Sequence, residues 1–162
     1  MIKRFVYLLA LPLLFVNCSK KTTDCAYQSS ATVASAAEIA YIQTYLTNNS
    51  ISATQHSSGL FYTITAAGSG TTPGLCSNVT VRYSGRTFTT TSTGSVFDSN
   101  STGISFALGQ LIVGWQKGIP LVSRGGAITL YIPPSLGYGS TAVGTIPANS
   151  YLVFTILLDS VN

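Results

Sequence analysis

Apolar residues recur at every second position along most of the chain after residue 59. The alternation is clear in segments 60–64, 79–83, 104–108, 128–132 and 152–158. This period is typical of β-strands that bury one face and leave the other in water. Gly-rich and Pro-Gly sequences at 68–70 and 73–74 predict turns between strands. The Thr-rich stretch 86–95 predicts an irregular edge strand or a hairpin. The pattern as a whole indicates an antiparallel sheet with one solvent-facing side.

Two segments follow a helical pattern instead. Ser35 and Glu38 have the spacing of a capping box, and Ile39, Ile42 and Leu46 then fall on one helical face. We expect about three turns, ending by residues 48–49, that pack on the chain's own domain; dimerisation and substrate capture are the alternatives. A second, shorter helix is expected within 112–119, before Pro120. The fold class predicted is therefore α+β: a curved antiparallel sheet packed over one short helix, with an additional N-terminal helix.

The N-terminus has the pattern of an export signal. Residues 1–4 carry Lys3 and Arg4, and residues 5–16 are apolar apart from Pro12. This run is shorter than the roughly 20 apolar residues that span a bilayer. Residues 1–17 are predicted to be a signal peptide, and the sequence around Cys18 resembles a bacterial lipoprotein cleavage site. We expect Cys18 to be acylated and the protein to be exported and anchored to a bacterial membrane, at the periplasmic face of the outer membrane or at the cell surface. An ordinary secretory signal cut nearby is the alternative.

The remaining chain divides by composition. Residues 18–33 are polar and predict a tether, residues 34–56 an N-terminal helical segment, and residues 57–162 the main domain. A chain of 162 residues with 46% hydrophobic content has room for one ordinary core. Two of its eight Lys and Arg residues lie in the signal segment, which leaves six against four acidic residues. That balance gives no basic face for nucleic acid.

Two cysteines remain after Cys18. In an exported protein, Cys25 and Cys76 are expected to form one disulfide, with two free thiols as the alternative. A metal site is a poorer interpretation because His56 is the only histidine.

Six blocks then resemble, in order, the motifs of FKBP-type peptidyl-prolyl cis/trans isomerases. They are VTVRYSG at 79–85, VFDS at 96–99, FALGQLIVGWQKG at 106–118, LYIP at 130–133, LGYG at 136–139 and IPANSYLVF at 146–154. The match extends over about residues 59–158. The resemblance implies an FKBP-like sheet curved over the short helix.

Carried over by position, the resemblance implies an apolar substrate pocket. Asp98 and Tyr138 would stand at its rim, and the Ile112 backbone N–H would receive a substrate carbonyl. The catalytic set implied is Asp98, Tyr138, Phe97, Trp115 and Phe154, with Trp115 as the floor. The substrate-binding set implied is Tyr83, Ile104, Leu111, Ile112 and Ile146. Ile104 stands where the family often has an aromatic residue, and the flap at 140–145 lacks bulky side chains, which leaves the preference for neighbouring residues open.

The chemistry of this set agrees with prolyl isomerisation, in which no covalent bond breaks. The barrier of about 18–20 kcal/mol comes from amide resonance, so the reaction needs neither a nucleophile nor a metal. The resemblance implies proline-containing polypeptides and FK506-like macrolides as ligands, no cofactor, and assistance in the folding of exported proteins. A non-catalytic FKBP-like binding module or chaperone remains an alternative, as does a surface lipoprotein for adhesion or glycan capture.

Overall fold

The computed structural model describes residues 25–162. Within this range the two α-helices are α1 (Ala36–Asn48) and α2 (Val113–Gly118). The strands are β1 (Thr54–Gln55), β2 (Phe61–Ala66), β3 (Asn78–Phe88), β4 (Thr93–Ala107), β5 (Ala127–Ile132) and β6 (Tyr151–Val161). They form one antiparallel sheet in the order β1-β2-β5-β6-β3-β4. The fold class predicted from the sequence is confirmed.

Several local predictions are also met. α1 begins with a complete capping box between Ser35 and Glu38. The Thr-rich stretch forms the hairpin between β3 and β4, whose turn is closed by a hydrogen bond from the Thr89 N–H to the Ser92 carbonyl. The predicted signal peptide, residues 1–17, and Cys18 lie outside the described residues. From residue 25 onward, no helix has the length and apolar character needed to cross a membrane.

One face of the sheet carries the main core. Alternating residues of β5 and β6, including Ile128, Leu130 and Ile156, are fully buried there with side chains of α2. α2 approaches the sheet closely because its contact positions are glycines. A Cβ on Gly114 would lie 2.6 Å from Ile132 side-chain atoms, and one on Gly118 would lie 2.5 Å from Leu130.

The opposite face is only partly left to solvent, so the predicted solvent-facing side is correct for one part of the sheet only. α1 covers one end of this face, whereas Arg82 and Thr155 on the same face remain exposed. Ile42, Tyr45 and Leu46 of α1 pack there on a second apolar cluster formed by Phe61, Phe88, Tyr131 and Val153. These residues alternate with the main-core positions, so the strands are apolar on both faces where α1 covers them. α1 therefore packs on its own domain, as the sequence analysis favoured, and Tyr41 stacks on Tyr151 with ring centroids 3.9 Å apart.

Residues 25–33 also differ from the prediction of a polar tether. We call this segment the strap, because it runs without regular secondary structure along the domain surface and is held there. Cys25 is joined to Cys76 by a disulfide with a Cα–Cα distance of 5.6 Å. Lys117 Nζ donates a hydrogen bond to the Ser30 carbonyl at 2.7 Å. The Tyr27 ring lies directly against Gly109, where a Cβ would collide with it. Composition could not reveal the strap because its partners are distant in sequence.

Glu38 links α1 to the turn after β5. Its carboxylate accepts hydrogen bonds from the backbone N–H groups of Ser35 and Ser135, both at 2.8 Å, and from both serine hydroxyls at 3.0 Å. Burial acts to raise the pKa of this carboxyl, but the hydrogen bonds from Ser135 and Ser35 outweigh it, so the pKa lies below its ordinary value. The charged carboxylate therefore stabilises the folded state.

We expect the Cys25–Cys76 disulfide to stabilise the domain. Its cysteines are 51 residues apart, and closing a loop of that size contributes about 4 kcal/mol in the chain-entropy model. Reduction should lower the urea midpoint of the mature protein accordingly. The double variant Cys25→Ser/Cys76→Ser should match the reduced protein and should not respond to reductant. Two alkylatable thiols in the untreated native protein would contradict the expectation.

Glu38→Gln should lower stability in a pH-dependent way. A lowered pKa means that the stabilisation is present above the ordinary carboxyl pKa and is lost as the pH falls through the lower folded-state value. We expect a loss of about 1 kcal/mol at neutral pH, typical of a disrupted helix N-terminus, and a smaller loss near pH 3. Urea unfolding at both pH values measures this. The control is Asp159→Asn, whose carboxylate pairs with Arg82 on the surface. An equal loss at both pH values for Glu38→Gln would argue against a role for the charge.

Candidate active site

A cavity of about 180 Å³ lies between α2 and the concave side of β3, β4 and β6. Its lining consists mainly of aromatic and aliphatic side chains with one carboxylate: Tyr83, Asp98, Phe106, Leu111, Ile112, Trp115, Tyr138 and Phe154. Seven of these eight belong to the set named from the sequence, and Phe106 does not. An apolar cavity of about 150 Å³ is large enough to hold a benzene ring, so this one has room for a five-membered ring.

Trp115 is the centre of the aromatic wall and is 4% exposed. Three neighbouring rings meet its indole nearly at right angles. The centroid distances are 5.2 Å to Tyr83, 5.2 Å to Phe154 and 6.2 Å to Phe106. Such edge-to-face pairs are favourable aromatic arrangements and stabilise these ring orientations. The cavity is therefore preformed by side chains that hold one another in place.

A glycine in β3 makes room for part of this wall. A Cβ on Gly85 would lie 2.5 Å from the Phe154 ring and 2.8 Å from the Phe97 ring. The two rings meet edge to face with centroids 5.6 Å apart. Phe97, a member of the implied catalytic set, therefore packs against Phe154 and is not among the residues that line the cavity.

Two other residues implied by the resemblance also lie outside the lining. Ile104 pairs with Val81 across the β3–β4 ladder, two residues before Phe106, and is 39% exposed. Phe106 shares that strand face and stands nearer to α2, so it supplies the aromatic surface there. The strict alternation of Ile104, Phe106 and Leu108, combined with the position of α2, is the signal that could have identified Phe106. Ile146 is buried in the main core, beneath the flap that it closes through a bridge to Val143.

The rim of the cavity carries a polar pair. The Tyr83 hydroxyl donates to Asp98 Oδ2 at 2.6 Å. Burial, followed by this hydrogen bond and the charges of Asp98 and Tyr138, raises the pKa of Tyr83 far above its ordinary value. Burial and the Asp98 charge also raise the pKa of Tyr138. Both phenols therefore remain protonated at neutral pH.

A backbone donor is available beside the aromatic wall. Ile112 is the residue that caps the N-terminus of α2, and its carbonyl accepts hydrogen bonds from Trp115 and Gln116. Its own N–H takes part in none of the hydrogen bonds found among residues 25–162. The first N–H groups of a helix lack intrahelical partners, and a ligand carbonyl can satisfy them. This is consistent with the role that the resemblance implies for Ile112.

Among the residues that the structure describes, no group of three or more His, Cys, Asp or Glu side chains could hold a metal ion. His56 is occupied locally: its Nδ1 accepts a hydrogen bond from the Ser58 N–H at 3.1 Å. What the cavity offers is an apolar, aromatic enclosure with a hydrogen-bonded carboxylate and a backbone N–H at its edge. It can bind a small apolar ring attached to a carbonyl group.

Solved structures share this architecture. The crystal structure of FkpA from Escherichia coli superposes with a TM-score of 0.66 and 34% identity, over 75% of this chain and 58% of that one. A peptidyl-prolyl cis-trans isomerase structure from Pseudomonas syringae pv. tomato also gives a TM-score of 0.66, with 26% identity, over 82% of this chain and 99% of that one.

Sequence comparison points the same way. The FKBP-type peptidyl-prolyl cis-trans isomerase named FkpA from Buchnera aphidicola (subspecies Acyrthosiphon pisum) is 42% identical over 110 residues, which are 65% of this chain and 44% of that protein. FkpA of Escherichia coli K12 is 42% identical over 107 residues, 64% of this chain and 38% of that protein. The chain thus spans less than half the length of these curated relatives. The profile of the FKBP-type peptidyl-prolyl cis-trans isomerases matches residues 70–159. With more than half of its length matched, the chain belongs to the FKBP-type peptidyl-prolyl cis-trans isomerase family.

Proposed function

We propose that this protein is a peptidyl-prolyl cis/trans isomerase that accelerates rotation about X-Pro bonds in exported polypeptides. The observation that carries the proposal is the cavity itself, an aromatic enclosure centred on Trp115 and of a size for a proline ring. The Tyr83–Asp98 pair lies at its rim, and the Ile112 N–H beside it has no hydrogen-bond partner among residues 25–162. FK506-like macrolides, which also present an apolar ring beside carbonyl groups, are proposed as further ligands of the same cavity.

The catalysis proposed depends on desolvation. A planar X-Pro amide is strongly dipolar because of resonance, and the twisted transition state is less so. Transfer from water into an apolar cavity therefore favours the transition state over the ground state. Lowering the barrier by about 7 kcal/mol would accelerate exchange roughly 10⁵-fold.

The polar groups at the edge are assigned to orientation. The Ile112 N–H would bind a substrate carbonyl and so place the proline ring over Trp115. Tyr83 holds Asp98 at the rim through its 2.6 Å hydrogen bond, where the carboxylate would act on the dipole of the rotating amide. Rotation about the amide breaks no covalent bond, so no step of the reaction needs a proton transfer, and both rim phenols remain protonated.

The location proposed is a bacterial membrane, at the periplasmic face of the outer membrane or at the cell surface, with Cys18 as the acylated N-terminus. The support is the sequence of residues 1–18, a basic start followed by a short apolar run that ends at a cysteine. The strap that follows is disulfide-bonded, as suits an oxidising compartment.

Catalysis can be measured on short X-Pro peptides by an assay without a coupling protease, because uncatalysed exchange takes tens of seconds or more. Trp115→Ala and Phe154→Ala should reduce both peptide binding and turnover by opening the cavity to water. Asp98→Ala should reduce turnover with a smaller effect on binding.

The control for these variants is Tyr41→Ala, which removes an aromatic ring from the other face of the sheet and should leave turnover unchanged. Core aromatic truncations cost about 3–5 kcal/mol, so each variant must first be shown to be folded. A wild-type protein that binds proline peptides without speeding their exchange would instead establish the binding-module alternative.

The anchor is tested by Cys18→Ser. Expressed in a bacterial host, the unaltered protein should fractionate with membranes and the variant should be released in soluble form. Mass spectrometry of the mature N-terminus would identify the acyl groups directly. Equal membrane association of the two proteins would refute the assignment of Cys18.

A further inference from the structure

The side chain of Gln116 reaches back from α2 to the loop that precedes it. Its Nε2 donates hydrogen bonds to the carbonyl of Leu111 at 2.7 Å and to the carbonyl of Gly109 at 3.1 Å. Both partners are carbonyl oxygens, which only accept, so the amide nitrogen must be the atom that faces them. Gln116 is not part of the cavity lining and was not among the residues implied by the resemblance.

The contact with Leu111 has a direct effect on the next residue. In a trans peptide the carbonyl of one residue and the N–H of the next point in opposite directions. Because Gln116 holds the Leu111 carbonyl toward its own side chain, the Ile112 N–H points away from the Gln116 amide. Ile112 lines the cavity and its N–H is unused among the described residues. The orientation of that donor therefore depends on where the Leu111 carbonyl is held.

The start of this loop, at Gly109, is held by contacts with other parts of the chain. The Gly109 N–H donates to the Leu75 carbonyl at 2.9 Å, next to the disulfide-bonded Cys76. The Tyr27 ring of the strap covers Gly109. These contacts hold the start of the loop but do not reach the peptide between Leu111 and Ile112. Among residues 25–162, Gln116 is the one hydrogen-bond donor to the Leu111 carbonyl.

We infer that Gln116 is a positioning residue of the isomerase site: its side-chain amide fixes the Leu111–Ile112 peptide so that the Ile112 N–H is directed to the substrate carbonyl. The inference rests on the proposed function. Gln116 acts through Ile112 and does not itself contact the substrate.

The test replaces Gln116 by Met, which has a similar length and helix propensity but no donor. With the Leu111 carbonyl released, the Ile112 N–H should no longer be held toward the substrate. One neutral hydrogen bond contributes about 0.5–1.5 kcal/mol, so kcat/KM for an X-Pro peptide should fall about two- to tenfold. The loss should appear mainly in KM, because the bond is made in the ground state as well as in the transition state.

A second variant and a matched control sharpen the test. Gln116→Glu keeps the length of the side chain but places a carboxylate against two carbonyl oxygens at neutral pH, so its loss should equal or exceed that of Gln116→Met. The control is Lys117→Met, the adjacent residue of α2, whose amine bonds to the strap at Ser30. Lys117→Met should keep wild-type kcat and KM.

The spectroscopic readout is the backbone amide signal of Ile112 in ¹H–¹⁵N NMR spectra of the free proteins. Gln116→Met should shift or broaden the signals of residues 110–112 while those of β5 and β6 stay in place. A Gln116→Met protein that is less stable but keeps the wild-type Ile112 signal and KM would overturn the inference and leave Gln116 a purely structural residue.

Absence of catalysis in the wild-type protein refutes the proposed function, and this inference with it. Catalysis by the wild type that is unaltered in both Gln116 variants refutes this inference alone.

Discussion

The close contact between α2 and β5 determines the geometry of the whole site. Gly114 and Gly118 bring the helix backbone against the side chains of Ile132 and Leu130, with no room for a Cβ at either position. This contact fixes the height of Trp115 above the sheet, and the rings of Tyr83, Phe106 and Phe154 are arranged around its indole. The cavity is the space that remains above a helix held at this distance. Larger residues at the two glycine positions would move its floor.

Most of the fold could be predicted from the sequence because its signals are local. Period-two alternation, the Ser35–Glu38 capping box and the turn residues each act within a few positions, and the structure contains the strands and helices that they indicate. The prediction of a solvent-facing side is correct only for the part of that face beyond α1, because alternation alone cannot show what packs on the second face. Phe61, Tyr131 and Val153 occupy the intervening positions of their strands and are buried by α1.

The site shows the same limit at the level of single residues. Motif positions brought Trp115, Tyr83 and Phe154 together correctly, since each lies on a regular element with a fixed register. Ile104 and Phe106 are harder to separate, because both face the same side of β4 and the choice depends on where α2 crosses that strand. The β3–β4 ladder also shifts register after Val81, which no local pattern reports. Contacts between distant segments, such as Lys117 with Ser30, have no sequence signature at all.

Attachment of the strap to the domain also limits the distance between the cavity and a membrane anchor at Cys18. A free tether from Cys18 to residue 33 could extend over at most about 54 Å, whereas a chain fixed at Cys25 leaves at most about 25 Å between the two cysteines. Tyr27, two residues beyond the attachment point, touches the loop beside the cavity. With a lipid on Cys18, as proposed, the short segment between Cys18 and Cys25 would hold the domain close to the bilayer. It would meet polypeptides as they emerge at or pass along the bilayer surface, and chains deep in the aqueous space would lie beyond its reach.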